Sequence, residues 1–396
     1  MKLDIRATTW WGAPKKFDRP QEDRRVSWLE LFYDLVYVIA ISRITHHFSL
    51  HTTTEGFFEY AFLFMLIYWG WLNGSLYHDL HGNDGLRTRL MTLWQMMIIA
   101  ALAIVIDQTQ GQGFFNIMIV FMIMQFYITY MWWSVGFYDK SHRRYNKPYM
   151  FFYLISFALM GLSLFVKQEW NKLIYPLILI FNNAPPFVTI ILLRRDSTNL
   201  NLSPSMFERL GLLAIIVFGE VVLGVVNGFS KTVVTGFNSW LNFAFAISIV
   251  FALWWIFFTL VAQREAKSGF MNGALLEFLF IPSLLSLGLI AVSFTTFFDV
   301  HNEIQLEKLG YAVATFLVCV RLMMELLVFP DHTRPLKKPV QTSLLITAAL
   351  FLISAMINVH FNRMYYLAGI LIVLVAEIIY LNSIYLILQN REKEDD

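Results

Sequence analysis

Apolar stretches of about twenty residues, separated by short polar loops, recur along almost the whole chain. A helix that crosses the roughly 30 Å hydrocarbon core of a bilayer needs about this length, whereas strands and most soluble helices are shorter. Twelve such stretches lie at about 27–48, 57–77, 89–107, 114–138, 148–166, 173–193, 207–229, 237–262, 273–298, 309–329, 341–358 and 364–388. The pattern predicts an all-α, polytopic membrane protein with about 12 transmembrane helices.

Composition supports this fold class and excludes several functions. Of the 396 residues, 57% are hydrophobic and 15% are charged, whereas a soluble domain has about a quarter charged residues. The net charge of +2 is too small to indicate nucleic-acid binding, so the lipid bilayer is the expected partner. Because Cys319 is the one cysteine, it excludes an internal disulfide and a cysteine-based zinc or iron–sulfur site. We therefore expect no cofactor and no metal.

The basic residues predict the orientation of these helices. With the N-terminus placed in the cytoplasm, most of the 30 lysines and arginines fall in loops on the cytoplasmic side, as the positive-inside rule requires. A different number of spans would blur this asymmetry. Residues 1–25 also lack the apolar core of a cleaved signal peptide, so the first helix is expected to remain as an anchor.

Three weak internal echoes, each six stretches apart, predict a duplicated architecture. A glutamate opens the first and seventh stretches at Glu30 and Glu208, paired tryptophans recur in the second and eighth, and the loops 139–143 and 331–334 are alike. Because six is even, the two halves would have the same orientation, as in transporters built from two parallel repeats. The predicted organisation is an N-terminal tail (1–26), a first half (27–194), a linker (195–206), a second half (207–388) and a C-terminal tail (389–396).

Two motifs at equivalent positions of these halves resemble one known family. Residues 30–38, ELFYDLVYV, resemble the opening signature of the bacterial low temperature requirement A family, and residues 208–213, ERLGLL, with 218–220, FGE, resemble its second motif. The resemblance implies an integral membrane protein of the bacterial cell envelope. Together with the distribution of basic residues, it leads us to expect the cytoplasmic (inner) membrane, with both termini in the cytoplasm. By itself it indicates no biochemical activity.

Charged residues inside the apolar stretches are the main candidates for function. Glu30 and Asp34 are four residues apart, so they share one face of a helix, and Asp34 lies about 6 Å deeper. Glu220 and Glu377 lie near the middle of the seventh and twelfth stretches. An ionisable group at this depth is costly and usually faces the protein interior or a wet cavity. We expect Asp34 and Glu220 to bind a proton or a cation in a shared cavity, with Glu30 nearby.

Other polar residues have both functional and structural interpretations. Arg321 and Glu325 are four residues apart and are expected to form a structural charge pair, although Glu220 is an alternative partner of Arg321. Gln95, Gln125 and Asn73 are expected to hydrogen-bond between helices. The His78-x-x-His81 spacing permits a metal site, but the glycines that follow favour a solvated turn.

Pro185 and Pro186 interrupt the sixth stretch and predict a break in its helix. Proline lacks the backbone donor that continues a helix, and carbonyl groups freed in this way need partners inside a membrane. Asn182 and Asn183 precede the break. They are interpreted either as ligands for an ion or substrate or, for Asn183, as a simple cap.

These features favour a secondary transporter or channel-like carrier that is coupled to protons or cations and moves a small solute or ion. The alternative is a membrane-embedded enzyme or binding protein for a lipid or a quinone-like apolar molecule. Its basis is the aromatic clusters Tyr127, Tyr130, Trp132 and Trp133 on the fourth stretch and Trp254 and Trp255 on the eighth. A homo-oligomer stays open, and an enzyme is less favoured because no catalytic motif is present.

Overall fold

The fold is helical throughout the part of the chain that the computed structural model describes, which is residues 26–82, 85–107, 113–138, 143–193, 201–231, 236–298, 306–330, 333–357 and 363–395. The helices are α1 (Trp28–Leu50), α2 (Thr54–His81), α3 (Leu86–Asp107), α4 (Gly113–Tyr138), α5 (Arg143–Ser163), α6 (Gln168–Asn183), α7 (Pro185–Leu193), α8 (Pro204–Ser230), α9 (Phe237–Phe257), α10 (Phe270–Phe297), α11 (Leu306–Leu326), α12 (Lys337–Met356) and α13 (Arg363–Asp395). A π-helical turn (Phe258–Ala262) follows α9, and a 3-10 turn (Arg334–Leu336) precedes α12. The all-α prediction is confirmed.

Each of the twelve predicted apolar stretches falls on a helix, but the helices differ in how well they suit a bilayer. Among the described residues, eight are long and apolar enough to cross a membrane, or nine when α6 and α7 count as one bent span. These spans make the chain an integral membrane protein. Helices α1, α2 and α5 are too polar to meet the same criterion. The total of twelve spans and the two-repeat layout therefore remain predictions.

The chain divides into two compact units that differ slightly from the predicted halves. The first contains Met1–Arg209 with Gly269–Ala274, and the second contains Leu210–Ser268 with Leu275–Asp396. Residues 1–25 of the predicted N-terminal tail lie outside the described residues. The predicted C-terminal tail is helical as far as Asp395, since glutamate, lysine and arginine favour helix.

Part of the predicted linker is bound into the first unit at the start of α8. Asp79, near the end of α2, accepts hydrogen bonds from the hydroxyls of Ser203 at 2.7 Å and Ser205 at 2.6 Å. The Ser203 hydroxyl in turn accepts from the backbone N–H of Met206 at 3.0 Å, which caps the first turn of α8. These contacts fix the first turn of α8, and with it Arg209, to the end of α2.

Helix α2 is the core of the first unit. It packs against α1, α3, α4 and α6, and its buried residues occur around most of its circumference. Trp69, Trp71 and Tyr77 are each 1% exposed. A helix surrounded by protein can carry polar groups that would be unfavourable in contact with lipid. This explains why α2 is less apolar than the eight helices that could each cross a membrane.

The second unit has an apolar core and a close helix crossing. Phe218 of α8 makes ring contacts with Phe257 of α9 and Phe316 of α11. Gly224 of α8 lies so close to the backbone of Ala291 on α10 that a Cβ atom would overlap its carbonyl oxygen, and Gly228 contacts Phe294 in the same way. Glycines four residues apart allow helices to approach closely inside membranes.

The predicted break in the sixth stretch is confirmed. Helix α6 ends at Asn183, α7 begins at Pro185, and the two are bent by 50°. The carbonyl groups of Phe181 and Asn182 have no donor four residues on, because prolines occupy those positions.

Candidate functional site

The candidate site begins at the first turn of α1, where one residue both caps the helix and faces the interior. Ser27 and Glu30 form a capping box in which Glu30 Oε2 accepts from the Ser27 backbone N–H and hydroxyl, both at 2.8 Å. Asp34 lies one turn further on the same face. Glu30 is 3% exposed and Asp34 is fully buried, so the helix directs two carboxylates into the first unit.

Arg209, in the second turn of α8, lies between these carboxylates. Its Nη2 atom is 2.5 Å from Asp34 Oδ1 and its Nε atom is 3.3 Å from Asp34 Oδ2, which is a two-point contact. Its Nη1 atom is 3.6 Å from Glu30 Oε1. Arg209 is 2% exposed, so the pair with Asp34 is almost completely removed from solvent.

Aromatic rings complete the surroundings of the arginine. The Arg209 guanidinium carbon is 5.5 Å from the ring centre of Tyr33 and 5.7 Å from that of Trp71, within the range of cation–π attraction. The Trp71 indole N–H also donates to Asp34 Oδ1 at 2.7 Å. Asp34 therefore accepts from a guanidinium and an indole, and both of its oxygens are used.

A layer of hydrogen bonds between helices lies next to this group. Gln95 of α3 donates to the Tyr37 hydroxyl on α1 at 2.8 Å and to the Gly70 carbonyl on α2 at 3.0 Å. The approach of α1 and α3 depends on Gly74, because a Cβ atom there would overlap the Tyr33 hydroxyl and the Gln95 amide. The predicted role of Gln95 in joining helices is confirmed.

Asn73 is the centre of a second polar cluster on α2. Its Oδ1 atom accepts from the Trp132 indole at 3.0 Å and from the Tyr153 hydroxyl at 2.6 Å, which connects α2 with α4 and α5. Gln125 of α4 donates to the Tyr153 carbonyl at 3.2 Å. The predicted roles of Asn73 and Gln125 between helices are confirmed as well.

The predicted solvated turn at His78 and His81 is wrong. Both residues are buried in the last turns of α2, because the helix continues to His81 and ends only at Gly82. The two ring nitrogens of His78 lie 2.8 Å from the Gly74 carbonyl and 2.6 Å from the Thr92 hydroxyl. Within the described ranges no group of three or more His, Cys, Asp and Glu residues is arranged to hold a metal ion.

The other predicted ligand residues lie in different places. Glu220 is half-buried on the part of α8 that belongs to the second unit, whereas Asp34 belongs to the first. Asn182 is 1% exposed, and neither atom of its side-chain amide has a hydrogen-bond partner among the described residues. Asn183 donates to the carbonyl of Leu179, one turn back in its own helix, at 2.9 Å. Asn183 thus bonds within α6 and does not cap α7.

Arg321 and Glu325 lie near the end of α11. Arg321 Nη2 is 3.6 Å from Glu325 Oε1, and Lys337 Nζ is 2.7 Å from Glu325 Oε2. The Glu325 side chain is 45% exposed. Since the apolar stretch was predicted to continue to 329, the position of these charges in the last turns of the helix is a correction.

The aromatic residues behind the enzyme alternative face in different directions. On α4, Trp132 and Tyr127 are buried, and Tyr127 donates to the Met91 carbonyl at 2.5 Å. Tyr130 and Trp133 are exposed, as are Trp254 and Trp255 on α9. These rings therefore divide between internal packing and the outer surface, where lipid is expected.

Sequence reasoning did not identify the partners of Asp34. Arg209 is 175 residues away in the chain, and Trp71 is 37 residues away. The available signal was the position of Arg209 directly after Glu208 in the second motif. The repeat predicts that Glu208 corresponds to Glu30, yet Glu208 is exposed and Glu30 is buried. The buried charge at the start of the second motif is Arg209.

The arrangement has a definite chemical capability. A carboxylate that holds a guanidinium in an apolar surrounding can exchange it for a competing cation, and a proton on Asp34 would remove most of the attraction to Arg209. Removing one partner of such a pair lowers protein stability by about 3–5 kcal/mol, because the other charge is left buried without a counter-charge. A proton or another cation that bound Asp34 would therefore compete with Arg209.

The chain matches the model of a known protein family. The family model described as bacterial low temperature requirement A protein (LtrA) matches residues 25–380, a range that includes both motifs. No curated protein and no solved structure matches the chain.

Proposed function

The chain belongs to the bacterial low temperature requirement A family, and from that premise we propose that it is a carrier coupled to protons or cations, with Asp34 as the coupling group. The observation that supports this most strongly is the two-point contact between Asp34 and Arg209, both of which are almost fully buried. A fixed structural role would be met more cheaply by apolar packing of the same volume. A carboxylate that must bind and release a cation, in contrast, needs this chemistry.

In the proposed cycle, Asp34 alternates between Arg209 and an incoming proton or cation. When Asp34 binds the incoming charge, Arg209 is released towards Glu30, which already lies 3.6 Å from its Nη1 atom. Glu30 thus keeps the guanidinium paired while Asp34 is occupied. The Trp71 indole holds the Asp34 carboxylate in position through either step.

The remaining parts of the proposal concern the membrane and the cargo. The carrier lies in the bacterial inner membrane with twelve spans in two parallel halves and both termini in the cytoplasm. It moves a small solute or ion. Glu220 acts as the second titrating group, and Asn182 and Asn183 at the break between α6 and α7 contact the cargo. The buried Asn182 amide, which has no hydrogen-bond partner in the part of the chain that the structure describes, supports this last role.

The coupling role of Asp34 can be tested by proton flux. The purified protein is reconstituted into lipid vesicles that contain a pH-sensitive dye, and a potassium diffusion potential drives proton entry. We expect wild-type protein to acidify the vesicles and the Asp34→Asn variant to lose this flux by at least about tenfold, because asparagine cannot bind a proton. A parallel series with a sodium gradient tests a cation other than the proton.

The matched control is Glu55→Gln, which neutralises an exposed acid at the start of α2. It should keep the wild-type flux. Size-exclusion profiles of all three proteins establish that folding is retained. Equal flux from wild type and Asp34→Asn at equal protein content would remove Asp34 from the mechanism.

A further inference from the structure

Glu377 is a buried acid that the proposed carrier cycle does not use. It lies fourteen residues past Arg363, about 21 Å along α13, and is therefore near the middle of the span Arg363–Leu386. Only 22% of this span is buried in the protein, yet Glu377 itself is 5% exposed. Of the eight single-helix spans in the described residues, this one has the smallest buried share. Glu377 nevertheless lies on its protein-facing side.

Two hydroxyls on one face of α12 hold the Glu377 carboxylate. The Ser343 hydroxyl lies 2.5 Å from Oε1, and the Thr347 hydroxyl lies 2.9 Å from Oε2. Because Ser343 and Thr347 are four residues apart, they are neighbours on that helix face. Each carboxylate oxygen thus has a hydroxyl of its own.

The charged groups on the neighbouring helices do not neutralise this acid. Helix α13 packs against α9 and α12. Helix α9 carries no titratable residue, and those of α12 are Lys337, which bonds to Glu325, and Lys338, which is exposed at the helix start. Among residues 363–386 of α13, whose side chains the structure describes, the other titratable residues are Arg363, Tyr365, Tyr366, Tyr380 and Tyr385. Within the described residues, no salt bridge joins Glu377 to a cation.

We propose that Glu377, Ser343 and Thr347 form a proton-binding site inside the membrane, which takes up a proton from water and returns it. An ionised carboxylate without a cation is costly at the centre of a bilayer, and a proton is the smallest group that removes the charge. The surrounding hydroxyls suit both states, since a hydroxyl can donate to a carboxylate and accept from a carboxylic acid.

Ser343 provides the geometry for that exchange. Its hydroxyl oxygen is 2.5 Å from Glu377 Oε1 and 3.1 Å from the Val340 carbonyl on its own helix. When Glu377 is ionised, Ser343 donates to the carboxylate. When Glu377 carries the proton on Oε1, it donates to Ser343, and Ser343 donates to Val340. The single proton of the Ser343 hydroxyl therefore has an acceptor in either state.

The proposed site is inferred from contacts within the second unit and does not depend on the proposed carrier function. Its test therefore needs no transport assay. Dicyclohexylcarbodiimide is an apolar reagent that reacts with protonated carboxyl groups, and it can reach Glu377 from the lipid around α13. The full-length protein in lipid vesicles is treated at a series of pH values, and mass spectrometry of its peptides measures the adduct.

We expect Glu377 to be labelled, with labelling that falls as the pH is raised and the carboxyl group loses its proton. Glu325 in the same sample is the internal control, because it is exposed and paired with Lys337, and it should not react. Thr347→Val removes one donor to the ionised form and should shift the pH dependence of Glu377 labelling to higher pH. Thr342→Val, at an exposed neighbouring position on α12, should leave it unchanged.

An independent measurement does not depend on access of the reagent. The infrared carbonyl stretch of a protonated carboxyl group should be present in wild-type protein, absent in Glu377→Gln and lost as the pH is raised. Absence of this difference band throughout the pH series would overturn the proposal. Protection of Glu377 from labelling by sodium at constant pH would also overturn it, because the site would then bind a metal cation.

Discussion

At the scale of single residues, Asp34 and Arg209 illustrate how a helical membrane protein holds opposite charges in its interior. Asp34 reaches the interior because the capping box at Ser27 and Glu30 sets the first turn of α1, and Arg209 reaches it because Asp79 fixes the first turn of α8. Both side chains are almost fully buried, so water cannot replace either partner. The contact therefore holds α1 and the start of α8 together, and a cation that competed for Asp34 would weaken this connection.

Removal of Arg209 is expected to destabilise the protein more than removal of both charges. Arg209→Gln leaves Asp34 buried without its cation and should lower the free energy of unfolding by about 3–5 kcal/mol. The double variant Asp34→Asn with Arg209→Gln leaves no buried charge in the pair and should recover a large part of this loss. Thermal unfolding in detergent, followed by tryptophan fluorescence, measures the order of the midpoints.

Arg43→Gln is the matched control, because Arg43 is exposed on α1. Its unfolding midpoint should stay close to that of the wild type. If the Arg209→Gln and Arg43→Gln variants unfold at the same temperature, the buried pair contributes nothing measurable to stability.

At the scale of helices, the sequence predicts positions well and contacts poorly. Apolar length located the helices but not all of their ends, and the lack of backbone donors at Pro185 and Pro186 predicted the bend, since both follow from local chain chemistry. The pairing of Asp34 with Arg209 depends on packing between segments 175 residues apart, which no local pattern specifies. The end of α2 was placed too early, because glycine-rich residues indicate a turn without showing where the preceding helix ends.

The close crossing of α8 and α10 gives a prediction that contrasts two glycines of one helix. A Cβ atom at Gly224 would overlap the Ala291 carbonyl, whereas no atom lies within 4 Å of one at Gly219. Gly224→Ala should force the helices apart and lower the unfolding midpoint. Gly219→Ala should leave it unchanged or raise it, because alanine favours helix by up to about 1 kcal/mol.

Both variants add the same methyl group to the same helix, so thermal unfolding in one detergent compares them directly. A Gly224→Ala protein as stable as Gly219→Ala would show that the second unit tolerates a wider separation of α8 and α10.

At the scale of the whole molecule, the number of spans depends on three helices that hydropathy does not identify. Helices α1, α2 and α5 carry Asp34, Trp71, Asn73 and Tyr153, the residues that build the two polar clusters of the first unit. These helices are polar because they carry the side chains of the two polar clusters, which lie between helices. We therefore expect all three to cross the membrane although their composition is unfavourable.

Cysteine labelling tests this expectation directly. In a Cys319→Ala background, His51→Cys and Lys167→Cys should react with an impermeant maleimide on intact cells, because α1 and α5 would then end on the outer side. Arg89→Cys, at the start of α3, should react only after permeabilisation. All three positions are exposed, and Cys319 is buried. Reaction of Arg89→Cys in intact cells, or protection of His51→Cys, would contradict the twelve-span arrangement.

The burial of α2 also has a consequence for how the chain is made. During synthesis each segment meets the lipid before its later neighbours exist, and a segment with several tyrosines, histidines and an asparagine partitions weakly on its own. Its Gly70 carbonyl, Asn73 and His78 find partners only when α3, α4 and α5 have followed. We therefore expect α2 to be retained at the insertion machinery, or to enter as a pair with α1, until the rest of the first unit has emerged from the ribosome.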